Sequence, residues 1–198
     1  MAIGAPAGVV ASGLLERDAE LAEIGRLVER TCSGAGVVLL VEGPAGAGKT
    51  RLLEAAAEAG QARGMRVLEA SGSELERELG FGVVRSLFEG VLVTASAARR
   101  RSLMSGAAGL AAPVLWPSSA GSQATAPAEP AAVLHGLFWL VSSLAERDPL
   151  MLVVDDAHWA DRPSLRFLAY LARRLSGLPL LLVVAARPHE PGGGSMHQ

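Results

Sequence analysis

The chain has 198 residues, of which 50% are hydrophobic and 19% are charged, and its formal net charge is −2. A chain of this length can bury the core of one domain, and this hydrophobic fraction excludes an intrinsically disordered protein. Because the charge is nearly balanced, nothing favours a nucleic-acid surface, and we expect no nucleic-acid binding by this chain alone.

The remaining composition indicates a cytoplasmic protein. Cys32 is the only cysteine, which excludes an intrachain disulfide and favours a reducing compartment. Residues 178–186 form one of the longest apolar runs, far too short for a membrane helix, so we expect no membrane association. The first residues lack the basic segment that is typical of a secretory signal.

The first third of the chain alternates helical and strand patterns. Residues 1–13 are rich in Gly and Ala, and we expect them to be flexible. The continuous apolar run "GVVLLVE" is typical of a strand buried on both faces. In chain order, the predicted elements are an amphipathic helix over 14–30, this strand over 36–42, a helix over 50–64 that Gly64 ends, and a strand over 65–71.

The middle of the chain predicts two helices and a long loop. Helical spacing of apolar residues continues over 81–93, and a shorter helix is predicted over 97–111. Residues 112–130 are rich in Pro, Ser and Ala, which is typical of a loop.

The last third returns to alternating elements. They are a helix over 131–148, a strand over 150–156 that ends in two carboxylates, a helix over 161–177 with Asp161 as N-cap, and a strand over 178–187. Residues 189–198 show no periodicity, and we expect a disordered tail. Strands that alternate with helices predict a parallel α/β sheet, whose ligand site lies at the carboxyl ends of the strands.

Residues 43–50, "GPAGAGKT", fit the phosphate-binding motif G-x-x-x-x-G-K-[ST], and Lys49 is the only lysine of the chain. Glycines let consecutive N–H groups point into one cavity at a helix N-terminus, where they bind phosphate. Lys49 is expected to contact the β- and γ-phosphates and Thr50 to bind Mg²⁺. The predicted nucleotide-binding residues here are Gly43, Pro44, Ala45, Gly46, Ala47, Gly48, Lys49, Thr50 and Arg51.

A pair of acids complements this motif. Asp155 and Asp156 end the apolar run "LMLVV", where two charges are unfavourable without a cation or a partner. In P-loop proteins the first acid holds Mg²⁺ and the next can orient the attacking water. His158 and Trp159 follow the pair, and they shape this loop or simply pack. The metal set we predict is Thr50 and Asp155.

The segments "LLERDAEL" (14–21), "GPAGAGKT" (43–50), "LMLVVDDAHWADRPSLRFLAYLARRL" (150–175) and "LLLVVAARP" (180–188) resemble, in this order, the Orc1-like AAA ATPase module of STAND signalling NTPases. The likeness is strongest to large ATP-binding LuxR-type transcriptional regulators. It implies a nucleotide contact for Arg17, with Asp18 matching in type and Glu16 replacing the usual Gly. It also implies catalytic roles for Lys49, Asp156 and the sensor position Arg187.

The resemblance implies an α/β P-loop NTPase of the AAA-like type over residues 14–188, with a parallel sheet and flanking helices. In the family a fifth strand, a winged-helix lid and a helix-turn-helix follow, and we expect this chain to lack them. The favoured function is a regulatory module that binds ATP or ADP with Mg²⁺, with self-association or other regulator domains as partners. The alternatives are a stand-alone P-loop ATPase or kinase, and a fragment with an interaction role only.

Overall fold

The computed structural model describes residues 17–116 and 129–188. The predictions for residues 1–13, for residues 189–198 and for the central part of the loop over 112–130 lie outside the described residues. Among the described residues, the helices are α1 (Asp18–Cys32), α2 (Lys49–Ala62), α3 (Gly82–Thr94), α4 (Ala97–Leu103), α5 (Ala112–Leu115), α6 (Pro130–Ala145) and α7 (Arg162–Ala172).

Four strands form one sheet in this part of the chain, and they are β1 (Val37–Glu42), β2 (Arg66–Ser71), β3 (Leu150–Asp155) and β4 (Leu180–Ala186). Every pairing is parallel and the spatial order is β1-β4-β3-β2. The register aligns Glu42 with Ala186 and Ser71 with Asp155. The strands therefore end at one edge, and the predicted parallel α/β fold with flanking helices is confirmed.

The sheet separates two hydrophobic cores because successive side chains of a strand point to opposite faces. On one face, α1 and α2 pack on Leu181, Val183 and their neighbours. On the other face, the larger core joins α3, α6 and α7 to Leu150, Leu152 and Leu182. The central strands β3 and β4 are buried on both faces, as their continuous apolar sequences require.

The prediction that β1 is buried on both faces is wrong. Val41 is buried against α1 and α2, but Val38 and Leu40 are 44% and 55% exposed. The reason is the position of β1 at the edge of the described sheet. The larger core on that face receives strand residues from β2, β3 and β4 only, together with its helices. An apolar run thus identified the strand without fixing its place in the sheet.

The region from 97 to 116 also departs from prediction. The single helix predicted over 97–111 is interrupted after α4, because Gly106 takes a positive φ of 60° and a 3-10 turn, Gly106–Ala111, follows. This turn packs closely on α6, where a Cβ on Gly136 would lie 2.6 Å from the Ala111 nitrogen. The start of the predicted loop is helical, since α5 continues directly from the turn.

The described residues contain no helix that is both long and apolar enough to cross a bilayer.

Asp161, the predicted N-cap of α7, is 2% exposed and fixes more than its own helix. Its Oδ1 accepts hydrogen bonds from Ser164 N at 2.8 Å and from Phe81 N at 2.7 Å. Its Oδ2 accepts from Val83 N at 3.4 Å. The same carboxylate therefore caps α7 and holds the start of α3, where Phe81 adopts a left-handed conformation.

We predict that Asp161→Ala lowers the free energy of unfolding by about 3–5 kcal/mol, because it leaves several buried N–H groups without an acceptor. Ser96→Ala is the matched control, since Ser96 caps α4 through Arg99 N at an exposed position. Loss of that cap should cost about 0.5–1 kcal/mol. Urea unfolding of both variants measures the difference, and equal losses would contradict the role given to Asp161.

Candidate functional site

The site lies where the strands end. Gly43, the first residue after β1, donates from its N–H to Ala186 O at 3.4 Å, which places the glycine-rich loop beside the end of β4. Gly72, the first residue after β2, donates to Asp155 O at 2.9 Å. The parallel sheet thus brings together four loops that are distant in the sequence, as expected for an α/β ligand site.

The loop between β1 and α2 has the backbone of a phosphate nest. Gly46 and Gly48 both take a φ of 76°, a left-handed conformation that glycine adopts without steric cost. Gly48 is also the N-cap of α2. Among the described residues, no acceptor pairs with the N–H groups of Gly46, Gly48 or Lys49. These unpaired donors at a helix N-terminus suit an anion.

Lys49, the first residue of α2, lies inside this loop and is 8% exposed. Its Nζ donates to Gly43 O and to Pro44 O, each at 2.9 Å. A buried ammonium needs such partners. The lysine is therefore held over the nest by the loop's own carbonyls.

Thr50 and Asp155 meet across 105 residues of sequence. Thr50 Oγ1 donates to Asp155 Oδ2 at 2.6 Å, while Asp155 Oδ1 accepts from Asp156 N at 2.7 Å. A hydroxyl and a carboxylate side by side are hard oxygen ligands, and Mg²⁺ commonly takes one or two such ligands and completes its shell with phosphate and water. The pair fits the predicted metal position.

Asp156 begins the turn after β3 in a left-handed conformation, with a φ of 46°. The short polar side chain of Asp tolerates this region better than most residues do. The carboxylate is 40% exposed, and its Oδ1 lies 3.7 Å from Nδ1 of His158. The two acids therefore differ in setting, because Asp155 is tied to Thr50 and Asp156 faces solvent and a histidine.

The three predicted arginines are placed differently. Arg17, directly before α1, donates from its guanidinium to Ala47 O in the phosphate loop, and its predicted nucleotide contact stays a prediction. Arg187 follows β4 and is exposed beside the site. The Arg51 side chain instead pairs with Glu54 at 3.2 Å on the exposed surface of α2, so only its backbone lies at the nest.

Gly72 is a site residue that the sequence analysis missed. A Cβ there would lie 2.4 Å from Asp156 O and 2.9 Å from Ala160 N, so no other residue fits without a backbone shift. Its bare backbone lets the end of β2 pack against the turn that carries the acids. A glycine immediately after a strand at the ligand edge was the available signal.

His158, which the sequence analysis left as a residue that shapes this loop or simply packs, lies at the site. Burial lowers the pKa of its imidazole below the ordinary value of 6.5. The nearby carboxylate of Asp156 opposes this effect, whereas the positive charges of Arg187 and Lys49 add to it. Its ring packs on Trp159 with the centroids 5.1 Å apart. His158 therefore lies among the charged groups of the site as a neutral ring.

A phosphate nest after a buried strand, a lysine inside it and an acid pair ending another parallel strand define a P-loop NTPase fold. The sequence profile of the AAA ATPase domain matches residues 13–184, and the chain belongs to this family.

The fold is similar to two solved structures. The ORC2 protein of Aeropyrum pernix, solved as ADPNP-ADP complexes, has a TM-score of 0.51 and 19% identity, over 91% of this chain and 43% of that chain. CDC6P of Pyrobaculum aerophilum has a TM-score of 0.52 and 18% identity, over 93% and 42%. The chain spans less than half the length of either protein. No curated protein sequence matches it significantly.

We predict that acid destabilises this protein partly through His158. Because burial lowers the pKa of the folded-state imidazole, the unfolded chain binds a proton at higher pH than the folded chain does. The neutral imidazole therefore makes its full contribution to the free energy of unfolding above about pH 6.5, and this contribution is lost as the pH falls below that value. Urea unfolding from about pH 7 to about pH 5 should show a smaller loss for His158→Gln than for the wild type. Parallel losses in the two proteins would contradict this expectation.

Proposed function

We propose that this chain is an ATP-binding regulatory module in which ATP and ADP, bound with Mg²⁺, stabilise different conformations. The observation that carries the proposal is the convergence at one sheet edge of the open amide nest, the buried Lys49 and the Thr50–Asp155 pair. The ADPNP-ADP complexes of the similar Aeropyrum pernix protein support the choice of ligand.

Each residue has a defined part in nucleotide binding. The N–H groups of Gly46, Gly48 and Lys49 donate to the phosphates, and the Lys49 ammonium exchanges its two carbonyl partners for phosphate oxygens. Thr50 and Asp155 would hold the Mg²⁺, which would neutralise phosphate charge.

The discrimination between ATP and ADP is assigned to groups at the γ-phosphate end. A nucleotide shifts a conformational equilibrium only through contacts that differ between the two states. Lys49, Asp156 and Arg187 are the proposed differential contacts, because they come from three separate loops at one edge. Arg17, bonded to Ala47 O, would transmit a change of the phosphate loop to α1.

The wider role proposed is the nucleotide-binding part of a cytoplasmic LuxR-type transcriptional regulator. Support comes from the likeness of residues 14–21, 43–50, 150–175 and 180–188 to that family, with "DDAHWAD" as its most specific segment. Its partners would be another copy of the chain or further regulator domains. The exposed Val38 and Leu40 on β1 offer an apolar surface for such contacts.

Hydrolysis of ATP is the second candidate activity, and the partly exposed Asp156 beside Asp155 favours it. Steady turnover that Asp156→Asn abolishes would support a stand-alone ATPase. Binding without turnover would leave the regulatory module as the function.

We predict that Lys49→Ala weakens Mg-ATP binding by about 10- to 100-fold, because it removes charge-assisted hydrogen bonds worth about 1.5–3 kcal/mol. Titration calorimetry measures the affinity. Arg63→Ala is the matched control, since it removes a positive charge from an exposed pair with Glu29 at the far end of α2. Equal affinities of Lys49→Ala and wild type would defeat the proposed function.

A separate prediction concerns the metal. Thr50→Ala should lower ATP affinity in the presence of Mg²⁺ toward the value measured with excess chelator, because it removes one of the two proposed ligands. Titration calorimetry with Mg²⁺ and with excess chelator gives the ratio of the two ATP affinities for each protein. A ratio unchanged from that of the wild type would remove Thr50 from the metal site.

A further inference from the structure

Both ring nitrogens of His158 are buried and have no hydrogen-bond partner among the described residues. Such groups are rare in native proteins, because a buried polar atom without a partner costs free energy. A neutral imidazole carries one donor and one acceptor, so a donor N–H remains unsatisfied in either tautomer. The side chain as a whole is 18% exposed, although both of its nitrogens are buried.

The Asp156 carboxylate is a candidate acceptor beside this ring. Its Oδ1 lies 3.7 Å from Nδ1 of His158, slightly beyond hydrogen-bond distance. Asp156 itself lacks the tie to Thr50 that fixes its neighbour Asp155. One unsatisfied donor therefore lies next to one carboxylate that accepts no hydrogen bond from the residues the structure describes.

The backbone holds the two residues in this relation. Asp156 O accepts from Trp159 N at 2.8 Å, which closes the 3-10 turn Ala157–Trp159. Gly72 packs against the same carbonyl, and Trp159 covers one face of the imidazole. The turn therefore leaves the side chain of His158 near Asp156.

We propose that His158 is the positioning residue of Asp156: its neutral imidazole donates from Nδ1 to the Asp156 carboxylate and fixes that carboxylate at the γ-phosphate end of the site. The role of Asp156 rests on the proposed function, whereas the His158–Asp156 hydrogen bond does not require a nucleotide. His158 keeps its protons throughout, so this role involves no proton transfer by the imidazole. The lowered pKa agrees with a neutral ring.

The first test is the tautomer of His158 in the full chain without nucleotide. Long-range proton–nitrogen NMR spectra of protein labelled at histidine distinguish a protonated Nδ1 from a protonated Nε2. The resonances of His158 are those that disappear in His158→Asn, and His135 on α6 serves as an internal reference. We expect the Nδ1–H form at near-neutral pH and its loss in Asp156→Ala. An Nε2–H tautomer, or an imidazolium, would overturn the proposal.

The second test separates positioning from packing. His158→Asn retains an N–H donor near the Nδ1 position, whereas His158→Phe retains a ring for Trp159 and has no donor. With Mg-ATP bound, single-turnover hydrolysis should fall about 10- to 100-fold in His158→Phe and His158→Ala, and His158→Asn should retain most of the rate. ADP affinity should stay unchanged in all three, because ADP has no γ-phosphate near Asp156.

Failure of the role proposed for His158 can be distinguished from failure of the proposed function. A His158→Phe variant that hydrolyses ATP like the wild type, while His158→Asn is slow, would show packing alone and overturn the proposal. His135→Ala, on the exposed surface of α6, is the control for removal of a histidine. Failure of the wild type to bind ATP would defeat the proposed function, and the nucleotide-free spectrum would still decide the role of His158.

Discussion

All strands of a parallel sheet have their carboxyl ends at the same edge, and the site of this chain depends on that constraint. β1 and β4 are aligned so that Glu42 pairs with Ala186, and β2 and β3 so that Ser71 pairs with Asp155. The residues that follow therefore emerge side by side. The hydrogen bond from Thr50 to Asp155 then joins the phosphate loop to the end of β3, where the loop after Asp155, here called the acid loop, begins.

The phosphate loop is held in shape by contacts within the loop itself. Its two left-handed glycines orient the amides, and Lys49 is held by the carbonyls of Gly43 and Pro44. Binding of an anion then requires the lysine to change partners, with little rearrangement of the backbone. A preorganised site loses less conformational entropy on binding than a loop that has to fold around its ligand.

The sequence predicted the local parts of this molecule well. The four strands, the helix after the phosphate loop and the cap at Asp161 follow from patterns within a few residues, and all are present. The exposure of Leu40 was not predictable, since it depends on where β1 pairs in the sheet. The role of Gly72 was missed for a similar reason, because strand pairing brings it into contact with Asp156, more than 80 positions later in the chain.

The buried Asp161 couples the positions of two helices. Its carboxylate joins the helix after the acid loop to the first residues of α3, about 80 positions earlier in the chain. If the acid loop shifts and moves Asp161, the first residues of α3 have to move with it. Otherwise buried N–H groups lose their acceptor, at a cost of about 1–3 kcal/mol each. The buried carboxylate thus acts as a rigid linkage, through which a displacement of the acid loop is passed to the first residues of α3.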